Sequence, residues 1–221
     1  MILITGATEN FGNTIIDFLV QKDIPLARIA ALVKNKKEGM DLLAKGITLR
    51  IADANNYASL VEAFSCVDKL LLIPGNDFLK NAEQYLNLIN AAREAGIKHI
   101  LYTSFACSNE NGSSRVDFLA QLHIYAEKII KKSGIPYTIF RNNIYMNMLP
   151  LLRDQVIETD VYFPVEEEKA GFVLLSDIAQ TIANVLTSDG HENKEYCISN
   201  SEDSSLRDIT LFKMQNLKLS N

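Results

Sequence analysis

An α/β fold built on a parallel sheet is predicted by three observations. Strand-sized apolar runs alternate with helix-spaced apolar patterns from the first residues onward. Two helices stop at a glycine and pass directly into a strand, in Ala95-Gly96-Ile97-Lys98-His99-Ile100 and Ser133-Gly134-Ile135-Pro136-Tyr137-Thr138. The composition, 48% apolar and 22% charged over 221 residues, is that of an ordinary globular chain and excludes disorder or a collagen-like repeat. One large domain, or one domain with a small appendage, accounts for the length.

In chain order the predicted strands are Ile2–Thr5, Ile29–Val33, Thr48–Ile51, Lys69–Ile73, His99–Thr103, Tyr137–Phe140 and Tyr196–Ile198. The first helix carries Phe11, Ile15, Ile16, Phe18 and Leu19 at helical spacing. A later helix runs from Leu79 to Ala95 with Tyr85, Leu86, Leu88, Ile89 and Ala92 on its apolar face, and another from Phe118 to Lys132. No apolar run is long enough to span a membrane, and Met1 leads straight into Ile2-Leu3-Ile4 without a basic leader, so a cytoplasmic location without membrane attachment is expected. Cys66, Cys107 and Cys197 are far apart and odd in number, which suits reduced thiols. The net charge of −5, without a basic tract, argues against nucleic acid as a partner.

The segment Ile4-Thr5-Gly6-Ala7-Thr8-Glu9-Asn10-Phe11-Gly12 stands where the first strand hands over to the first helix. Backbone N–H groups at a helix N-terminus can face a pyrophosphate, and glycine lets that backbone come close, so a dinucleotide site is expected at this turn. After the second strand the chain reads Val33-Lys34-Asn35-Lys36-Lys37. A carboxylate here would select a free ribose 2′-hydroxyl, whereas an ammonium at Lys34 attracts a 2′-phosphate, which favours NADPH and makes NADH the weaker ligand. The plainer reading is a solvated basic start to the next helix.

Taken together, Leu3-Ile4-Thr5-Gly6-Ala7-Thr8, Val33-Lys34-Asn35, Ile51-Ala52-Asp53, Leu70-Leu71-Leu72-Ile73 and Tyr102-Thr103-Ser104 fall at successive strand ends. They are followed by His123-x-x-x-Glu127-Lys128, Ser133-Gly134-Ile135, Thr138-Ile139-Phe140-Arg141-Asn142 with Tyr145, and Ser176-Asp177-Ile178-Ala179. In this order the chain resembles the NmrA-like atypical short-chain dehydrogenases, most closely their NADPH-dependent quinone oxidoreductase branch. The resemblance implies a Rossmann-type doubly wound parallel sheet over residues 1–142 and a small, shortened C-terminal lobe over residues 143–221, interleaved with the last core elements. It implies an oxidoreductase that passes hydride from NADPH to a quinone or similar flat electrophile, without flavin or metal. The cofactor residues it implies are Gly6, Thr8, Asn10, Phe11, Gly12, Lys34, Asp53, Ile73, Pro74, Thr103 and Ser104, with Arg141, Asn142 and Tyr145 at the substrate. The family also contains redox-sensing regulators that bind the nucleotide without turning it over, so a weakly catalytic NADP-binding regulator acting through a protein partner is the alternative.

Two departures from the family pattern bear on that choice. Glu9 stands where the middle glycine of the turn belongs, adding charge repulsion and bulk beside the pyrophosphate. Family chains also continue past this length, whereas here Ser199–Ser205 gives way to the short segment Leu206–Asn221.

The usual proton-transfer pair of short-chain dehydrogenases, Tyr-x-x-x-Lys, is absent; the nearest arrangement is Tyr125 and Lys128, one residue short. Alcohol dehydrogenation is therefore disfavoured, while quinone reduction survives because water can protonate its stabilised anion. His123 and Glu127, four residues apart on one helix face, either orient a substrate oxygen or pair at the surface. Catalytic roles for Tyr125, Lys128 and His123 stay open on this reading. His-Glu-x-x-His is missing and His99 and His191 are remote in sequence, which argues against zinc. Ser104 has no Gly-x-Ser-x-Gly frame, so no esterase nucleophile is expected; capping the outgoing turn is its plainer role. Tyr145, Met146, Met148 and Leu149 suit either a flat ligand or core packing, and Glu166-Glu167-Glu168 a solvated turn.

Overall fold

The computed structural model describes residues 1–75, 82–106, 115–143, 145 and 173–199. Its centre is one seven-stranded sheet of β1 (Ile2–Ile4), β2 (Ile29–Val33), β3 (Thr48–Ile51), β4 (Lys69–Leu72), β5 (His99–Phe105), β6 (Tyr137–Asn142) and β7 (Lys194–Ile198). The order is β3-β2-β1-β4-β5-β6-β7, and every pairing is parallel. The helices are α1 (Asn10–Gln21), α2 (Met40–Ala44), α3 (Tyr57–Ala63), α4 (Ala82–Glu94), α5 (Arg115–Lys132) and α6 (Leu175–Leu186).

A parallel strand covered on both faces needs apolar residues in succession rather than in alternation, and β1 has them: Ile2, Leu3 and Ile4 are all buried. One face of the sheet packs against α1 and α6, through Ile15, Ile16 and Leu19 with Ile178, Ile182 and Ala183. The opposite face packs against α3, α4 and α5, through Leu60, Leu88, Ile89, Ala126 and Ile130. This is the doubly wound arrangement expected. The predicted strands are recovered with shifted ends: β5 and β6 run two residues further, to Phe105 and Asn142, and β7 begins two residues earlier, at Lys194. Helix α5 begins at Arg115 rather than Phe118. The predicted start of α4 at Leu79 lies outside the described residues, as do Cys107, Met146, Met148, Leu149, Glu166–Glu168 and the segment beyond Ser199.

Both glycine stops are left-handed, with φ +73° at Gly96 and +78° at Gly134, a conformation that costs glycine nothing. Cys66 and Cys197 are free and exposed. No helix among the described residues is long and apolar enough to cross a membrane.

Sheet order reverses between β1 and β4. The carboxyl ends of these strands therefore diverge, and a crevice opens between their outgoing loops.

Candidate functional site

Thr5 fixes the floor of that crevice. Its hydroxyl donates to the Ile73 carbonyl at 3.1 Å and accepts from the Ile73 amide at 2.8 Å, while the Thr5 amide donates to the Leu71 carbonyl at 3.0 Å. The side chain thus prolongs the β1–β4 pairing past the end of the ladder and sets Gly6 beside Ile73. Gly6 has φ +61°, and a Cβ on it would lie 3.3 Å from the Ile73 Cβ. Gly12, one turn into α1, is tighter still: a Cβ there would fall 2.3 Å from the Gly6 carbonyl oxygen and 2.7 Å from the Ala7 Cα. The helix is pressed onto the turn so closely that only hydrogen fits, which aims the first amides of α1 into the crevice.

Glu9 is the N-cap of α1, in extended conformation at φ −83°, ψ 160°, with an exposed side chain that makes no capping hydrogen bond. A non-glycine residue is therefore accommodated here without strain. Thr8 and Asn10 flank it, both exposed. Phe11 is buried and packs its ring on Tyr145 at a centroid distance of 5.7 Å.

Lys34 follows β2 on an exposed turn with Asn35, Lys36 and Lys37. Asn35 caps the 3₁₀ turn that follows, accepting from the Glu38 amide at 3.2 Å. Asp53, after β3, closes an Asx turn by accepting from the Asn55 amide at 2.9 Å. Ile73 and Pro74 lie at the end of β4, Ile73 buried and Pro74 half-buried.

On β5 the buried side chains divide between the two faces. Thr103 donates to the Leu72 carbonyl at 3.4 Å, bridging to β4. Ser104 donates to Glu127 Oε1 on α5 at 2.7 Å, so it ties strand to helix instead of capping the outgoing turn. Glu127 also receives Arg141 in a two-pronged contact, Nε to Oε1 at 3.0 Å and Nη2 to Oε2 at 2.6 Å. Arg141 Nη2 continues to Glu195 Oε2 at 2.7 Å, and Lys131 meets Glu195 Oε1 at 2.7 Å. Burial pushes the Glu127 carboxyl up, but the hydrogen bonds from Arg141 and Ser104, with the charges of Arg141 and Lys131, outweigh it and hold it below the usual range.

His123 and Glu127 share a helix face, as their spacing requires, yet they do not form a surface pair. His123 Nδ1 lies 2.8 Å from the Tyr102 hydroxyl, which is 3.4 Å from the Tyr85 hydroxyl. Burial pushes the His123 imidazole down to about 4, against the opposing pull of Glu127. Tyr125 and Lys128 sit on the exposed side of the same helix, away from this cluster. Asn142 ends β6 fully buried and donates from Nδ2 to the Tyr145 hydroxyl at 3.2 Å; burial pushes the Tyr145 phenol up. Tyr145 thereby joins the end of β6 to the first turn of α1 through Phe11.

The structure brings Gly6, Gly12, Ile73, Pro74 and Thr103 to the β1–β4 crevice and joins Asn142, Tyr145 and Phe11 at its α1 side. It does not join Tyr125 to His123. Arg141, expected at substrate, has its guanidinium engaged by two carboxylates. Sequence reasoning did not assign site roles to Thr5, Tyr85, Tyr102 and Glu195: their roles come from contacts between residues 17 to 68 positions apart, which no local spacing reveals.

The crevice passes a direct test for a dinucleotide. A pyrophosphate needs a left-handed first glycine, a glycine at the helix contact and unshielded helix amides, and Gly6, Gly12 and the start of α1 meet all three. The model of the NmrA-like family matches residues 1–212. Quinone oxidoreductase 2 of Escherichia coli K12 is 37% identical over 197 residues, covering 89% of this chain and 67% of that protein. The solved structure of an NADPH-dependent quinone oxidoreductase from Escherichia coli complexed with NADPH superposes with a TM-score of 0.80 at 35% identity, over 96% of this chain and 73% of that one. A Citrobacter triphenylmethane reductase complexed with NADP(H) gives the same TM-score at 32% identity, over 96% of this chain and 74% of that one. The chain spans about two thirds of the length of several curated relatives it matches. With the crevice, the glycine turn and the family model all agreeing over most of its length, this chain belongs to the NmrA-like family.

Proposed function

We propose that the protein is an NADPH-dependent reductase of quinones or similarly flat electrophiles. The observation that carries this reading is the turn at β1, where Gly12 lies so close to the Gly6 carbonyl that the amides of α1 face the switch-point crevice. Quinone and dye reductases among the relatives, solved with NADPH or NADP(H), support the same cofactor and an acceptor of this class.

On this reading Gly6, Thr8, Asn10 and Gly12 hold the pyrophosphate, Lys34 takes the 2′-phosphate, and Asp53 with Ile73 and Pro74 borders the nucleotide. Thr103 and Ser104 stand nearest the reacting ring. NADPH, when bound, supplies the hydride. The protein's task is then to hold a flat acceptor in register and to keep water from competing for position. The hydride adds to the quinone, one carbonyl oxygen gains the negative charge, and a solvent proton neutralises it, so the missing Tyr-x-x-x-Lys is no obstacle. Residues 1–142 form the cofactor core, and residues from 143 onward, interleaved with the last core elements α6 and β7, contribute the acceptor side. Tyr145 supports that division, being packed on Phe11 directly beside the turn.

The test is NADPH oxidation with a panel of quinones, azo dyes and triarylmethane dyes, beside a direct nucleotide titration. Binding with turnover of at least one acceptor is expected. Tight binding without turnover of any would favour the nucleotide-sensing regulator instead.

A further inference from the structure

A hydrogen-bonded line crosses the interior between α4, β5 and α5: Tyr85 to Tyr102 at 3.4 Å, and Tyr102 to His123 Nδ1 at 2.8 Å. Both tyrosines are fully buried, so the line is fixed by packing. A phenol O–H is a more acidic donor than an imidazole N–H, and an imidazole nitrogen is a better acceptor than a phenol oxygen. Tyr102 therefore donates to Nδ1, and the proton of the neutral ring sits on Nε2. The imidazole packs beside Tyr102 and Phe105 at centroid distances of 5.8 and 6.5 Å. Phe105 is the last residue of β5, so the ring stands at the carboxyl edge of the sheet, where ligands of such folds bind. His123 is half-buried rather than sealed, and its Nε2 has no hydrogen-bond partner among the described residues.

We propose, on the reductase reading above, that His123 Nε2–H is the hydrogen-bond donor to the acceptor's carbonyl oxygen, with Tyr102 as the positioning residue that fixes its tautomer. The hydride from the reduced nicotinamide forms the new bond to the acceptor, and the carbonyl π-electrons move onto oxygen. Nε2–H stabilises that oxygen while solvent supplies the proton, and the imidazole ends as it began. A neutral donor suits this task because it offers the same hydrogen across the neutral pH range.

The experiment combines histidine side-chain 15N NMR with kinetics on menadione and direct NADPH titration. The wild type should show the Nε2–H tautomer at His123, and Tyr102→Phe a mixture of tautomers. His123→Leu should lower kcat by about a hundredfold, at the lower edge of the range for losing one donor to a developing oxyanion. Its NADPH affinity should stay within about twofold, and His123→Gln, whose amide places an N–H near the lost Nε2–H, should recover most of the rate. Tyr102→Phe keeps an aromatic ring in the core and should lower kcat severalfold, which preserves the test if His123→Leu fails to fold. An Nδ1–H tautomer in the wild type overturns the proposal, as does an unchanged kcat in both variants or a loss confined to NADPH affinity. A wild type that binds NADPH but turns over none of the quinones or dyes overturns the reductase reading and the donor role with it; an active wild type matched by His123→Leu overturns the donor alone.

Discussion

On the proposed reading Lys34 sets the choice between the two nicotinamide nucleotides, because it follows β2 on an exposed turn with two further lysines and no acid ahead of Glu38. Lys34→Asp puts a carboxylate where the 2′-phosphate would lie, and the preference for NADPH over NADH should fall by at least about tenfold or reverse, equivalent to about 1.4 kcal/mol. Dissociation constants for both nucleotides, in both proteins, check it. Glu9 counts for less than its sequence position suggests: its side chain is exposed, so its repulsion is the water-screened kind, worth about 1 kcal/mol at 4 Å. His123 makes stability depend on pH. In the unfolded chain its imidazole takes a proton near 6.5, whereas burial in the folded state delays this to about 4. The unfolded state therefore binds more protons between these values, so the contribution of His123 is complete above pH 6.5 and is lost as pH falls through the window. The loss amounts to roughly 3 kcal/mol at about 1.4 kcal/mol per pH unit. His99, also pushed down chiefly by burial, adds in the same direction. Urea unfolding at a series of pH values should show this fall, and His123→Gln should flatten it. The close glycine turn was legible in the sequence, because Gly6, Gly12 and the helix start lie close together in it. The partners of His123 and Arg141 were not, since Tyr102 and Glu195 reach them only through the sheet order.

Helix α1 depends on one contact that no other residue type can make. Gly12→Ala would drive a methyl group to 2.3 Å from the Gly6 carbonyl oxygen, a backbone atom with nowhere to go. The helix must lift from the turn, at a cost of about 1–3 kcal/mol for an overpacked contact, and the aim of its amides is lost with it. Thermal melting should report the destabilisation, and NADPH titration should report a larger loss of affinity than stability alone explains. Helix α5 is fastened differently, by charge. Glu127 is 7% exposed at its side chain and holds Arg141 of β6 and Ser104 of β5, while Arg141 and Lys131 both reach Glu195 of β7. Removing Arg141 leaves a buried carboxylate with only Ser104 and the more distant Lys131, so Arg141→Met should destabilise by about 3 kcal/mol, at the lower edge of the range for breaking a buried pair. Denaturant unfolding measures it; an unchanged midpoint would mean that Lys131 alone suffices. The helix itself was predictable from its apolar spacing, and its lower end from Gly134. What its polar residues do was not, because a Glu four residues from a Lys reads as a solvated pair until the strands bring Arg141 and Ser104 beneath it.

At the scale of the molecule, the all-parallel order β3-β2-β1-β4-β5-β6-β7 accounts for where the crevice opens. Reversal between β1 and β4 opens the crevice, Thr5 clamps its floor to Ile73, and the glycine turn, Lys34 and Asp53 all leave the same carboxyl edge of the sheet. The parallel sheet with helices on both faces followed from alternating apolar runs and two glycine stops, since such a sheet with short connections has few other solutions, whereas the Thr5–Ile73 clamp, 68 positions apart, did not. An acceptor site did not follow, because the pattern of residues after β6 suits core packing as well as a ligand; Tyr145, one of the described residues there, packs on Phe11. The proposed function requires that this sheet edge bind NADPH. Titration of the purified protein with NADPH, followed by nucleotide fluorescence, should show saturable one-to-one binding, weaker for NADH and weakened further by Gly12→Ala; a protein that binds neither nucleotide would show the proposed function to be wrong.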